Sequence, residues 1–256
     1  MNLGLRDKVA IITGAGSQSG FGRGIALTLA AEGCDLVVGD IDLEGAELTA
    51  ASIRELGRRA VAVRADVADE DQVKSMVDRG LSEFQKIDIL VNNAGVGTPF
   101  KSFVESTQAE WERSLDTNLK GTMHCTKAVL PHMLARGQGK IINLASVAGV
   151  ISVPNGSVYG ATKAAIINFS GAIALEVADS GINVNCIAPG LGNTNFLSSA
   201  GGFSDDYLAH AAELDAAGKT ITPQDVGNLV RQAFVEHPGK DAALQREFQI
   251  GHGAQD

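Results

Sequence analysis

Tyr159 and Lys163 stand four residues apart in Tyr159-Gly160-Ala161-Thr162-Lys163, with Ser146 thirteen residues upstream and Asn118 further back. On a helix, positions i and i+4 share a face, so the phenol and the ammonium are expected to reach into the same space. A phenol with its ordinary pKa near ~10 exchanges protons poorly at neutral pH, and a fixed cation beside it favours the phenolate and lowers that value. Lys163 is expected to be that cation. The hydroxyl of Ser146 would hold a carbonyl or alcohol oxygen while Tyr159 gives or takes a proton at the same oxygen. Taken alone, the pair fits a decorated exposed helix equally well.

Seven short apolar runs, at 9–13, 35–40, 60–64, 87–91, 140–144, 183–187 and 244–250, read as strands. Between them apolar residues recur at helical spacing over 22–32, 43–56, 69–84, 108–136, 157–179 and 223–236. Thr222-Pro223 opens the last of these as a cap followed by proline in the first turn. Strand then helix, repeated, predicts an α/β fold whose mainly parallel, seven-stranded sheet is covered by helices on both faces. Ligands of such sheets sit outside the carboxyl ends of the strands, where the candidate residues fall. One domain is expected over 1–256, because a chain of this length, 45% hydrophobic and free of long polar tracts, can bury one core without a linker.

Thr13-Gly14-Ala15-Gly16-Ser17-Gln18-Ser19-Gly20-Phe21-Gly22 joins the first strand to the first helix. Its glycines permit a tight turn and let backbone N–H groups approach a pyrophosphate at a helix N-terminus. Gly14, Ser17, Gly20, Phe21 and Gly22 are the candidate contacts. Asp40 lies twenty residues beyond Gly20 and closes an apolar run, with Ile41 next to it. A carboxylate there accepts bonds from both ribose hydroxyls and repels a 2′-phosphate, which favours NAD over NADP. Asp40 also fits a strand terminator or a helix cap, a job for which Asp42 competes.

Thr13-Gly14 with Gly20-x-Gly22, Asp66-Val67, Asn92-Asn93-Ala94-Gly95, Asn118, Ser146, Tyr159-x-x-x-Lys163 and Pro189-Gly190 followed by Thr194 occur in that order. In these motifs the chain resembles the short-chain dehydrogenase/reductase family, from about Lys8 to Thr194. The resemblance implies a Rossmann-like fold and hydride transfer between a nicotinamide dinucleotide and a secondary alcohol or ketone. It implies that Asp66 and Val67 contact the adenine, that Asn93, Ala94 and Gly95 line the cofactor, and that Pro189, Gly190, Gly192 and Thr194 lie against the nicotinamide. By the same resemblance Asn118 holds a water linking Lys163 to solvent, and Lys163 binds the nicotinamide ribose. Singly, each motif has a plainer reading: a turn at 92–95, a chain reversal at Pro189-Gly190, a kink or cap at Asn118, an N-cap at Asp66.

Two departures stand out. Five residues separate Gly14 from Gly20 where the family usually has three, which leaves the contacts of Ser17 to Ser19 open. Widened loops also occur in relatives that reduce carbon–carbon double bonds, but those space Tyr and Lys seven apart; the spacing of four here favours alcohol and ketone chemistry. The carboxyl end, Phe248-Gln249-Ile250-Gly251-His252-Gly253, replaces the family's Asp-Gly-Gly ending and bears on subunit contacts. Segments 108–136 and 157–179 resemble the helices through which relatives form tetramers, so a homo-oligomer, with a tetramer favoured, is expected; the same faces also fit a core.

Cys34, Cys125 and Cys186 are odd in number and scattered, and the five histidines form no ligand pair, so neither a disulfide framework nor a metal site is expected. The net charge of -9 and the lack of a Lys/Arg cluster weigh against nucleic acid and anionic membranes. No apolar stretch reads as long enough to span a bilayer, about 20 residues, and no signal region precedes the first strand, so a cytoplasmic protein is expected.

A substrate lid is expected at about 191–219. Phe196, Leu197, Phe203, Tyr207 and Leu208 make it apolar, Gly201-Gly202 offers a hinge, and Asp205, Asp206, Glu213 and Asp215 make it acidic before Lys219. A small neutral or apolar alcohol fits this composition better than an anion, although the same side chains also fit an amphipathic helix. Val150, Ile151 and Val153 would form the opposite wall or ordinary packing, and His210 has no assigned role. Two other functions compete: an enoyl reductase, and a dinucleotide-binding sensor or scaffold without turnover. The latter has no need of Asn118, Ser146, Tyr159 and Lys163 together.

Overall fold

The central strands of this protein's sheet, Val9–Thr13 and Ile89–Asn92, are buried along their whole length, as parallel strands between helical layers are. The computed structural model describes residues 3–192, 194–196, 200, 201, 203, 213 and 220–234. Its strands are β1 Val9–Thr13, β2 Asp35–Asp40, β3 Ala60–Arg64, β4 Ile89–Asn92, β5 Gly139–Leu144 and β6 Ile182–Ile187. Its principal helices are α1 Phe21–Ala31, α2 Leu43–Glu55, α3 Glu70–Phe84, α4 Gln108–Ser114, α5 Gly121–Arg136, α6 Ser157–Glu176 and α7 Pro223–Gln232. The six strands form one parallel sheet in the order β3-β2-β1-β4-β5-β6. The strand order reverses beside β1, which opens a crevice at the carboxyl ends of β1 and β4. The seventh strand expected at 244–250 lies outside the described residues.

Alternate side chains separate into two layers. Ala10 and Ile12 of β1 join Leu36 and Val38 of β2 in a cluster closed by Ile25 and Leu29 of α1, Ile53 of α2 and Val226 of α7. Val9 and Ile11 join Val37 in a second cluster closed by Val73 and Met76 of α3 and Cys125 and Val129 of α5. Each fully buried aliphatic side chain contributes about 1.5–3 kcal/mol by leaving water. The register sets Ile12 opposite both Val38 and Val91, so the loops after β1, β2 and β4 begin at nearly the same level.

Most helices start with a side chain bonded to an orphan N–H. Asp42 caps α2, Asp69 caps α3, and Thr107 with Glu110 and Thr222 with Asp225 form reciprocal capping boxes on α4 and α7. Three helices lack such a cap: α5, which follows Lys120, α6, which follows Gly156, and α1, whose N-cap Gly20 offers no side chain. The first N–H groups of α1 face the glycine-rich loop, where a dinucleotide diphosphate is expected.

Two expectations change. The segment 108–136 is not one regular helix: six residues of wider turns, Leu115–Lys120, interrupt it between α4 and α5. Apolar spacing cannot reveal this, because one extra residue per turn shifts the periodicity by less than the pattern's own scatter. Helix α6 is long and apolar enough, by length and composition, to cross a membrane, contrary to the expectation that no stretch would be. Its alanines and isoleucines outweigh Lys163 and Glu176 in the average. The helix lies against β5 and β6, with Thr162, Lys163, Ile166, Ser170 and Ala174 buried.

Candidate active site

The chain leaves β5 in extended backbone at Ser146 and at once forms a tight turn, Val147–Gly149, in which the Ser146 hydroxyl accepts the Ala148 N–H at 3.2 Å. Ala145 donates to the Ile187 carbonyl at 2.7 Å and Val147 to the Pro189 carbonyl at 2.9 Å, which ties the ends of β5 and β6 into one unit. Tyr159 and Lys163 occupy the first turns of α6, which lies beside that unit. Lys163 Nζ lies 5.7 Å from the centre of the Tyr159 ring and donates to the Leu144 carbonyl at 2.9 Å. The expected meeting of serine, phenol and amine is therefore present, and all three residues line one cavity.

The electrostatics correct one expectation. Burial brings the Lys163 amine down to about 8, with the Cys186 thiol pulling weakly the other way. Burial also pushes the Tyr159 phenol up to about 12, against the pull of the Ser146 hydroxyl. The protein's own groups thus keep the phenol protonated at neutral pH. Lys163, turned toward the Leu144 carbonyl, does not offset the desolvation that Tyr159 suffers.

Asn118 sits behind the cavity wall, completely buried within the widened turn, and does not line the cavity. Its Oδ1 accepts the Val96 N–H at 2.7 Å, and its Nδ2 donates to the Val96 carbonyl at 2.9 Å, to Ser114 Oγ at 3.1 Å and to Thr162 Oγ1 at 3.2 Å. Thr162 Oγ1 in turn donates to the Tyr159 carbonyl at 2.8 Å. The side chain therefore braces the loop after β4 against the turn of α6 that carries the phenol. Asn118 Oδ1 and Lys163 Nζ both face Gly95, where a Cβ would stand 3.2 Å from the first and 3.4 Å from the second.

The cavity encloses about 740 Å³ at the carboxyl ends of the strands, within the range of small-molecule sites. Of the residues expected to hold a dinucleotide, Gly14, Ser17, Gly20 and Phe21 line it from the first loop. Asp40, Ile41, Asp66 and Val67 line it from the ends of β2 and β3, and Asn93, Ala94 and Gly95 from the end of β4. Pro189, Gly190, Gly192 and Thr194 line it beyond β6. Gly22 does not: a Cβ there would stand 2.2 Å from the Gly14 carbonyl oxygen, so its part is to let α1 pack beneath the loop. Gly14 has a φ of +67° and leaves no room for a Cβ, which would come 2.6 Å from Ala94 Cα. Asn93 Nδ2 holds the two loops together by donating to the carbonyls of Thr13 at 2.9 Å and Gly14 at 2.8 Å.

The alternatives for the two aspartate sites are resolved by their bonds. Asp42 and Asp69 are the helix caps, whereas Asp40 and Asp66 face the cavity. Asp40 accepts the Gly16 N–H at 2.6 Å on one oxygen and the Asp42 N–H at 2.9 Å on the other, which fixes its plane while lone pairs remain. Gln18 anchors the lengthened loop by donating to the carbonyls of Gly16 at 2.8 Å and Gly45 at 3.1 Å. Ser19 Oγ is buried without a partner beside the uncapped start of α1. Spare donors at one end of the cavity and a fixed carboxylate near them are what a nicotinamide dinucleotide's diphosphate and ribose require, and the residues fit that group.

Beside Tyr159 the cavity has apolar walls that the sequence reading reached only in part. Phe196 and Phe203 of the expected lid line it, as does Val153, whereas Val150 and Ile151 are exposed and do not. Gly97, Phe100 and Ala200 were missed. The one signal for Phe100 was an aromatic residue shortly after the Asn-Asn-Ala-Gly turn, and no periodic pattern marks it. Leu197, Gly202, Asp205, Asp206, Tyr207, Leu208, His210 and Asp215 lie outside the described residues.

The chain matches the family model described as short chain dehydrogenase over residues 8–202. It is 38% identical over 224 residues to a cis-4-hydroxycyclohexanecarboxylate dehydrogenase of Sinomonas cyclohexanicum, covering 88% of each chain. It is 40% identical over 225 residues to a 3-oxoacyl-[acyl-carrier-protein] reductase of Staphylococcus epidermidis, covering 88% of this chain and 90% of the relative. Among solved structures, levodione reductase superposes with a TM-score of 0.84 at 31% identity, covering 94% of this chain and 93% of the other. The 3-ketoacyl-(acyl-carrier-protein) reductase from Brucella melitensis, solved with NADH, superposes with a TM-score of 0.80 at 34% identity, covering 91% and 92%. The chain belongs to the short-chain dehydrogenase family, and it is an oxidoreductase that transfers a hydride between a nicotinamide dinucleotide and an alcohol or ketone.

Proposed function

We propose that this protein is an NAD-linked dehydrogenase and ketone reductase whose substrate is a small, neutral or apolar secondary alcohol or its ketone. The observation that carries this reading is the placement of Ser146, Tyr159 and Lys163 along a cavity that also holds Asp40. Ser146 holds the substrate oxygen and Tyr159 moves the proton at that oxygen. With its phenol pushed up to about 12, Tyr159 stands ready as the acid for ketone reduction. When bound, the oxidised dinucleotide accepts the hydride and brings a positive ring charge that favours the phenolate in the other direction. Lys163 would hold the nicotinamide ribose and pass the proton onward, a role suited to an amine brought down to about 8.

Asp40 supports NAD over NADP: its carboxylate, held by Gly16 and Asp42, would repel a 2′-phosphate. A homotetramer is the proposed assembly, supported by exposed Met123 and Leu134 on α5 and Leu175 on α6. Tyr159→Phe tests the chemistry. The variant is expected to lose about 10³-fold or more in kcat while its Kd for NADH stays within about twofold; undiminished turnover would overturn the reading. Assaying NAD and NADP side by side on the unmodified protein tests the cofactor preference.

A further inference from the structure

The half of the cavity beside Tyr159 is walled by aromatic rings brought from two separate stretches of chain. Phe100, from the loop after β4, stacks on Phe203 with ring centres 4.7 Å apart and planes 19° apart. Phe196 leans on Tyr159 itself at 5.4 Å and 49°. The two stretches are latched: the Phe100 N–H donates to the Gly201 carbonyl at 3.0 Å. The latch depends on Gly97, where a Cβ would stand 2.5 Å from Ala200 Cβ and 3.1 Å from the Phe196 ring. Any larger residue at 97 would push Ala200 and Phe196 outward.

Such walls select by shape. A stacked pair offers a flat, polarisable surface and no hydrogen-bond partner, so it rewards a substrate that presents a compact apolar ring. A thin acyclic chain covers little of that surface. We infer that the substrate's carbinol carbon belongs to a saturated six-membered ring, so that the reaction interconverts a cyclohexanol and a cyclohexanone, with Phe203 and Phe100 as the residues that select the ring. The oxidation breaks the carbinol C–H bond, with hydride going to the oxidised dinucleotide, and sends the hydroxyl proton to the Tyr159 phenolate, which becomes the phenol as the C=O bond forms. This rests on the function proposed above and narrows its substrate.

The test measures NADH-dependent reduction of cyclohexanone, 2-hexanone and an acetoacetyl thioester by the unmodified protein and by Phe203→Ala and Phe203→Leu. The expected result is a kcat/KM for cyclohexanone at least tenfold above that for either competitor. That preference should shrink about tenfold in Phe203→Ala and less in Phe203→Leu, which retains apolar volume. A 2-hexanone or thioester value equal to or above that for cyclohexanone would overturn the ring assignment while leaving ketone reduction intact. An unchanged preference in both folded variants would overturn the role of Phe203. Bound NADH without turnover of any of the three ketones would instead defeat the function on which the inference rests.

Discussion

The two ends of the sheet each bury one charge and treat it in opposite ways. At the amino end Asp88, 5% exposed, accepts the Val9 N–H at 2.9 Å and pairs with Arg136 at 2.8 Å and Lys86 at 3.2 Å. Burial is the largest influence on its carboxyl and works to raise it, yet Arg136, the Val9 N–H and Lys86 together hold it below the usual carboxylate value. His132 completes that end as a neutral ring: burial and Arg136 lower its pKa, and its Nε2 accepts the Ile87 N–H at 3.2 Å. At the carboxyl end Lys163, 4% exposed, has the Leu144 carbonyl and no carboxylate among the described residues. Desolvation is therefore answered by opposite charge at one end and left standing at the other. The first arrangement locks an ion and ties β1, β4 and α5 together; the second holds an amine close to neutrality, where its proton can move.

Replacing Lys163 breaks the comparison most severely. Lys163→Met is expected to lower kcat by about 10³-fold or more, because it removes the group next to the phenol. In urea unfolding at pH 7 the same variant should be as stable as the parent or more so, by up to about 2 kcal/mol, since a desolvated cation is exchanged for an apolar chain and one hydrogen bond is lost. A clear loss of stability would mean that the lysine is held by an ionic partner after all. Asp88→Asn should show the reverse. It leaves Arg136 and Lys86 facing a neutral amide and is expected to cost about 2–4 kcal/mol, toward the lower end because both cations reach solvent, while kcat stays within about threefold. If Asp88→Asn were silent in unfolding, the amino-end network would contribute nothing to stability.

One end of this contrast is far more legible in the sequence than the other. Tyr159, Lys163 and Ser146 were legible because helix spacing and strand-end placement constrain where such residues go. The bounds of β1, β2 and β3 were legible because apolar runs stop abruptly at polar or glycine-rich turns. Asp88 passed unnoticed inside an apolar run, since its partners Val9 and Arg136 lie 79 and 48 residues away and only the folded sheet brings them together. The stacking of Phe100 on Phe203 was hidden for the same reason. Asn118 was found by its motif, but its task as a brace on Val96 depends on the widened turn at Leu115–Lys120, which leaves no periodic trace. The missing carboxylate beside Lys163 is an absence in space, and no pattern along the chain can display it.

The smallest effect separates the two ends by pH. Lys163 has a folded value of about 8, below the 10.5 of the unfolded chain, so between those values the unfolded chain holds the extra proton and stability rises with pH. The cost of burying this cation is present in full below about pH 8 and is gone above about pH 10.5. The stability difference between Lys163→Met and the parent should therefore move in the parent's favour across that alkaline window, by up to about 3 kcal/mol. Asp88 has the opposite sign: its folded carboxyl lies below the unfolded 3.8, so its contribution is present above that value and is lost as the pH falls through the folded one. The gap between the parent and Asp88→Asn should close only on the acid side. Urea midpoints for the three proteins from about pH 3 to pH 10.5 read both gaps, and titration of Tyr159 and the surface groups largely cancels because each gap is a difference between two nearly identical chains. Gaps that changed on the same side of neutrality would show that the two buried charges are held by the same kind of environment, and the distinction between a locked ion and a movable proton would fall with them.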